Sequence, residues 1–158
     1  MRVGDRIAIM RGGRIAQIGK PAEIYQTPVD REVAAIFGGV NVFHARVTNG
    51  WVASPFGQAP ANSVAEGAWA EVLYRPVSVR LAEQGLSARV LAVRPFAGQL
   101  EIEVAIVGSA LPEGVEAPTF VRAAAPVNTS LAPGAEVKLA ARPEDALVFA
   151  CRDEVCRR

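Results

Sequence analysis

Histidine occurs once in this sequence, at His44, cysteine twice, at Cys151 and Cys156, and lysine twice, at Lys20 and Lys138. Each scarcity excludes something. A zinc site wants three or four nitrogen or sulfur ligands, usually in paired spacing, and one histidine far in sequence from both cysteines does not supply it. His44 therefore reads as a half-buried structural residue of an alternating strand. The cysteines have no histidine beside them and read as two thiols in a reducing compartment, not as nucleophiles. So little lysine, with a formal net charge of +1 and both signs spread along the chain, builds no basic field for nucleic acid. Trp51, Trp69 and Phe96 lack an interleaved basic stripe that would make them base-stacking platforms, so packing in a core or interface is expected of them. No run of eighteen apolar residues exists to span a membrane, and MRVGDR does not lead into the apolar core of a signal peptide. A cytoplasmic chain is expected.

Catalytic constellations are absent as well. A phosphate loop needs G-x-x-x-x-G-K-[ST]; here Gly13 precedes Gly19-Lys20-Pro21 by five intervening residues, and proline stands where the magnesium-binding hydroxyl belongs. These glycines read as part of a β-turn. Glu101 and Glu103 alternate with Leu100 and Ile102 on one strand, and a solvated face of an antiparallel sheet explains them without acid–base chemistry. The expectation is no catalytic, cofactor-binding or metal residue.

What is present suffices for a packed domain. Half the residues are hydrophobic over 158 positions, enough for one domain or one domain plus the end of another. Ile7 and Ile9 alternate with Ala8 and Met10, and Ile15 and Gln17 with Ala16 and Ile18, around Gly12-Gly13, which suits a two-residue primed turn. Such a ribbon is marginal alone. Pro21 opens a helix to about Gln26, with Glu23 in its first turn and Pro28 beyond its end. Asp30 can cap a second helix over residues 31–37, with Val33, Ile36 and Phe37 as its buried stripe and Gly38-Gly39 as its stop.

The residues Asp5-Arg6-Ile7, Met10, Gly13, Ile15, Gln17, Gly19, Pro21, Glu23-Ile24-Tyr25, Pro28, Val33-Ala34, Phe37-Gly38 and Asn41 stand at fixed spacings. The phrase resembles the end of the ATPase domain of ABC-type importers of the maltose, sulfate and ferric-iron kind. Ile36-Phe37 departs from it by a swap within one apolar slot. The phosphate loop, the Walker B acid pair and the Ser-Gly-Gly-Gln signature of that family are missing from these 158 residues.

From Val42 onward the texture is β. Strands are expected over 42–48, 51–53, 69–74, 86–96, 100–107, 136–141 and 146–150, with 54–67 a loop containing at most a short strand and 120–123 an edge strand. Along 86–96, Val90, Ala92 and Arg94 are expected to face one way, Leu91 and Val93 the other. Short strands with turns every 8–12 residues argue for a small barrel or sandwich. An internal echo supports this. Glu71–Leu81 and Val137–Leu147 each read as an apolar strand, an Arg-Pro corner and an apolar pair, which suggests two matching barrel corners.

Arg75-Pro76, the 89–107 hairpin around Gly98 and Arg142-Pro143-Glu144 follow the order of the transport-associated OB domain of the same ABC ATPases, with Val77 in place of an acidic residue. The resemblance thus implies a mainly β fold: an OB-like small β-barrel preceded by a β-hairpin and two short helices. It implies three parts: residues 1–40 as the tail of the ATPase domain, 41–151 as the OB-type barrel and 152–158 as a C-terminal tail. It implies a non-catalytic regulatory and dimerisation domain of an importer's ATP-binding subunit, cytoplasmic and peripheral to the membrane through the permease. Partners would be a second copy, the rest of the ATPase domain and the permease subunits; ATP and magnesium would belong to the full-length parent. The competing class is a stand-alone OB-type module for a small oxyanion or an oligonucleotide. An enzyme has no constellation to support it. The resemblance also implies that the apolar hairpin face packs on the remainder of an ATPase core.

Overall fold

A computed structural model describes residues 5–108 and 111–151. The chain divides into two compact units, Met1–Val40 and Asn41–Arg158.

The first unit holds a hairpin, β1 (Ile7–Arg11) and β2 (Arg14–Gly19), and two short helices, α1 (Pro21–Gln26) and α2 (Arg31–Ile36). Gly12 and Gly13 take φ of 56° and 74°, the left-handed pair a primed turn requires. A bulge shifts the register after Ile9, so Ile9 faces Gln17 while Met10 faces Ile15. Ile7 and Ile9 are half-buried; Met10, Ile15 and Ile18 are exposed. Asp30 caps α2 by accepting from the Val33 N–H at 3.0 Å, and its other carboxylate oxygen meets Arg11 at 2.8 Å. The Gln17 amide donates to the Thr27 carbonyl and accepts from the Val29 N–H, both at 3.0 Å, tying the interhelical loop to the hairpin. The expected stripe on α2 is corrected: Val33 and Ala34 are buried, Ile36 is exposed and Phe37 half-buried. The helix stops at Ile36, and Phe37 sits in the cap edge-on to Tyr25, with ring centroids 6.0 Å apart.

The described residues of the second unit are mainly β, with strands β3 (Asn41–Thr48), β4 (Trp51–Ser54), β5 (Gly57–Pro60), β6 (Trp69–Tyr74), β7 (Arg80–Ala82), β8 (Leu86–Phe96), β9 (Gln99–Ile106), β10 (Val121–Ala125), β11 (Glu136–Ala140) and β12 (Leu147–Ala150). Five of them close a barrel in the order β10-β7-β11-β8-β9, and the other five form a sheet in the order β12-β6-β3-β4-β5. One core, running from Phe43 through Val72, Tyr74, Val90 and Ile102 to Leu139, serves both. The OB-like barrel of the sequence reading is there, with a second sheet beside it.

The Arg-Pro echo acquires a meaning from this topology. Pro76–Ser78 and Pro143–Asp145 are both single 3-10 turns, each preceded by an extended arginine. The first carries the chain from β6 of the sheet to β7 of the barrel; the second carries it back from β11 to β12. Because β6 pairs with β12 and β7 with β11, the two crossovers run antiparallel to each other. They are junctions between sheet and barrel, not two corners of one barrel. Proline suits both, since the ladder must end where the chain changes sheets.

The 54–67 stretch holds one short strand, β5, paired along its whole length with β4, as the sequence allows. Two further expectations need correcting. Residues 121–125 are no edge: β10 lies between β9 and β7 and helps close the barrel. Along β8 the simple alternation fails, because a bulge between Val90 and Ala92 leaves Leu91 as the extra, exposed residue and turns Val93 toward Ile102. The three-residue β7 carries too little pattern to be read from sequence. Gly85, at φ 136°, lets the turn after it pass against β11: a Cβ there would lie 2.1 Å from the Leu139 carbonyl oxygen.

Candidate functional site

Strand pairing gathers chemistry that sequence distance hides. In β3 and β6, His44 and Glu71 are direct antiparallel partners. In β6 and β12, Phe149 faces Glu71 and Ala150 faces Ala70. One residue on, the Cys151 N–H donates to the Trp69 carbonyl at 3.0 Å, so Cys151 continues the ladder. Directly opposed residues share a face, so His44, Glu71, Trp69 and Cys151 all project from one side of the sheet. The other side carries Phe43, Ala45, Ala70, Val72 and Tyr74 into the core.

On that face His44 Nε2 lies 3.8 Å from Glu71 Oε1. One ligand atom each from His44, Glu71 and Cys151 lie within 4.8 Å of one another. Glu71 is 5% exposed, an unusual burial for a carboxylate. The His44 backbone is held on its free side by a two-way bridge to Glu116, at 2.9 and 2.8 Å. Next along the face, the Arg46 guanidinium stacks 5.0 Å above the Trp69 ring. His44 is half-buried in an alternating strand, as its sequence pattern suggests. Cys151 corrects its own expectation: it is disulfide-bonded rather than a free thiol. Cys156 and the 152–158 tail lie outside the described residues. Sequence distance set His44 and the cysteines aside as a metal site and gave no sign of Glu71; the pairing order β3-β6-β12, with Cys151 one residue past β12, makes His44, Glu71 and Cys151 neighbours.

The remaining sequence candidates disperse. Glu101 and Glu103 are half-buried rather than solvated, and Glu103 pairs with Arg122 at 3.3 Å. Trp51 and Phe96 are exposed and stand outside the core. Gly13, Gly19, Lys20 and Pro21 belong to a hairpin and a helix start, not to a phosphate cradle. Asn41, the last residue of the sequence phrase, is buried: its amide accepts from the Arg122 N–H and donates to the Arg122 carbonyl, both at 2.8 Å. It thereby fastens the start of β3 to β10 of the barrel. A hollow of about 640 Å³ is lined by Val77, Ser78, Arg80, Ala140, Ala141, Arg142 and Asp145. Its Arg142 is engaged by Asp145 at 2.9 Å and by Glu144 at 3.8 Å, and Asp145 above all raises the Arg142 pKa.

Comparison with known proteins places these features. Over 98 residues the chain is 41% identical to the Fe(3+) ions import ATP-binding protein FbpC of Streptomyces coelicolor, a match covering 61% of this chain and 28% of that protein. The chain is similar to ATP-binding subunits of ABC importers. The sulfate/thiosulfate import ATP-binding protein CysA of Nitrosomonas europaea is 34% identical over 112 residues, 66% of this chain and 31% of its own length. The FbpC of Serratia marcescens is 29% identical over 141 residues, 85% of this chain and 38% of its own. The chain thus spans well under half the length of each of these relatives. No family model matches. Among solved structures, the cytoplasmic molybdate-binding protein ModG, with molybdate bound, aligns with a TM-score of 0.50 at 17% identity, covering 70% of this chain and 96% of that one. That likeness supports the OB-type fold. Among the described residues no helix is long and apolar enough to cross a membrane.

Proposed function

We propose that this chain corresponds to the C-terminal part of an ABC importer ATP-binding subunit: the last segment of the ATPase domain followed by a non-catalytic OB-type regulatory and dimerisation domain. The 98-residue match at 41% identity carries the reading. The first 40 residues support it, since Met10, Ile15 and Ile18 present an apolar surface suited to the rest of an ATPase domain. In this reading ATP and magnesium bind upstream residues, and the chain contributes contacts that hold two copies together between transport cycles. The assembly sits on the cytoplasmic side of the membrane through its permease subunits. The domain assignment is 1–40 for the ATPase tail and 41–151 for the barrel and sheet.

The test begins with the DNA in frame upstream of the Met1 codon. The expected frame encodes a phosphate loop and a Ser-Gly-Gly-Gln signature, and its longer product hydrolyses ATP while the 158-residue chain does not. A stop codon with its own ribosome-binding site directly upstream would overturn the reading. In sedimentation, a chain that stays monomeric at all concentrations would remove the dimerisation role.

A second reading, an oxyanion-binding module, draws on Ser78, Arg80 and Arg142 around the 640 Å³ hollow. The engagement of Arg142 by Asp145 weighs against it. Titration of the chain with molybdate and sulfate separates the two, and saturable heat with either anion would bring this reading forward.

A further inference from the structure

We propose that His44, Glu71 and Cys151 form a thiol-gated site for a divalent metal ion of the zinc class, closed while Cys151 is in its disulfide and open when that bond is reduced. The three side chains offer an imidazole nitrogen, a carboxylate oxygen and a sulfur, and their ligand atoms lie within 4.8 Å of one another. Around a tetrahedral zinc at about 2.0–2.3 Å, neighbouring ligand atoms stand roughly 3.3–3.7 Å apart. The His44–Glu71 separation of 3.8 Å is already close to that, so side-chain adjustment of about an ångström by Cys151 completes the set.

The donor chemistry selects the metal. Imidazole and thiolate together suit zinc better than they suit magnesium or calcium, whose ligands are oxygens. Three protein ligands leave a fourth position for water or another small ligand. The scaffold is stiff where precision matters: His44 is held by β6 on one side and by the Glu116 bridge on the other, and the Cys151 backbone is fixed to Trp69.

The gate follows from the state of Cys151. A sulfur in a disulfide has no thiolate to offer a metal. Two thiol groups of a reductant supply two electrons and two protons: the S–S bond breaks, both of its sulfurs become thiols, and the reductant's sulfurs join in a disulfide. When the metal enters, the Cys151 S–H bond gives way to a metal–sulfur bond and the proton passes to water. The site therefore reads the thiol poise of its surroundings as metal occupancy.

The experiment uses the 158-residue chain in two forms, oxidised and reduced with a dithiol that is then removed without air. Zinc affinity is measured by competition with a chromophoric chelator, and cobalt(II) reports thiolate ligation through its near-ultraviolet sulfur-to-metal band. The expected result is one zinc per reduced chain, with binding weaker by roughly 10-fold or more when oxidised. Reduced His44→Ala, Glu71→Gln and Cys151→Ser each lose about 10-fold or more, and the cobalt band vanishes in Cys151→Ser. Cys156→Ser, which removes the only other cysteine of the chain, binds zinc without reductant. Equal zinc affinity in both redox forms of the wild type would overturn the proposal. So would a cobalt–thiolate band that survives loss of Cys151.

Discussion

The first 40 residues and the β unit after them reach order by opposite routes. The hairpin and its two helices bury little: Ile24, Val33 and Ala34 are enclosed, while Met10, Ile15, Ile18 and Ile36 remain in water. Hydrogen bonds from single side chains do much of the joining, through Gln17 to the interhelical loop, Asp30 to α2 and Arg11 to Asp30. A segment of about 40 residues cannot bury enough surface to be robust without further support. The β unit instead shares one core between sheet and barrel, with a triad of rings at Phe43, Phe56 and Tyr74 in edge contacts 5.0–6.2 Å apart. The contrast teaches that a segment with a dense sequence signature need not be the self-sufficient one. The hairpin region's motif residues serve contacts, whereas the β unit is specified by burial, which many sequences satisfy.

The largest expected effect tests the self-sufficiency of the β unit. Phe43 is fully buried at the junction of the two other rings. Phe43→Ala is expected to cost about 3–5 kcal/mol by lost transfer energy and cavity formation. The urea midpoint followed by tryptophan fluorescence reads it, because Trp51 and Trp69 both lie in this unit. A loss below about 1 kcal/mol, well under the cavity range, would show that the core is not what holds the sheet and barrel.

An intermediate effect is expected at Asp30, where the first unit depends on single hydrogen bonds. Asp30→Ala removes the cap on the Val33 N–H and one of the two carboxylate partners of the Arg11 guanidinium, leaving Glu32 at 2.7 Å. The expected cost is about 1–2 kcal/mol, confined to the hairpin unit. Faster amide exchange at Val33 and Ala34, with the β unit's amides unchanged, is the readout. Asp30 was legible in sequence as a cap before a helix, but its second role was not, because nothing local announces that Arg11 will reach it.

The same limit runs through the whole chain. Hairpin, helices and most strands were readable where the period of apolar residues is local: Gly12-Gly13 fixed the turn and Arg-Pro twice marked the end of a strand. What escaped was pairing at long range. β7 has three residues, too few for any period, and β10 looked like an edge because its partners β9 and β7 are decided by barrel closure. The bulge at Leu91 reverses the facing of Val93 without a glycine to announce it. The His44–Glu71–Cys151 cluster is the extreme case, since each member alone is an ordinary strand residue and only the order β3-β6-β12 gives them a shared chemistry.

A smaller effect is expected from the buried phenol of Tyr74. Burial pushes its pKa up first; Asp145 and Glu144 add to the shift and Ser54 opposes it. The folded state therefore keeps the proton to higher pH than the unfolded chain does. The stabilisation is fully present below the unfolded value of about 10 and is lost as pH rises through the folded one. Tyr74→Phe is expected to cost about 1 kcal/mol at neutral pH, because the buried hydrogen bond to the Ser54 hydroxyl, 3.0 Å away, is lost while Ser54 keeps the Gly57 carbonyl and the Phe56 N–H. Its urea midpoint is then expected to fall less than the wild type's between neutral and strongly alkaline solution. An equal fall in both would assign the alkaline transition to other groups.

The smallest effect is the one that separates the two units most sharply. Serine at Met10, Ile15 and Ile18, each more than half exposed, is expected to change the stability of the 158-residue chain by no more than about 0.5 kcal/mol per site. If the hairpin face is covered by upstream ATPase residues, the same substitutions in the longer product remove buried apolar surface and cost about 1.5–3 kcal/mol each. Comparing urea midpoints of the variants in the two lengths of chain measures that difference directly. Equal, small effects in both would mean that the face stays open in the longer protein, and the hairpin's apolar surface would then require a different partner. A large effect in the 158-residue chain alone would instead mean that copies of it already cover the face for one another, which a concentration-dependent midpoint would reveal.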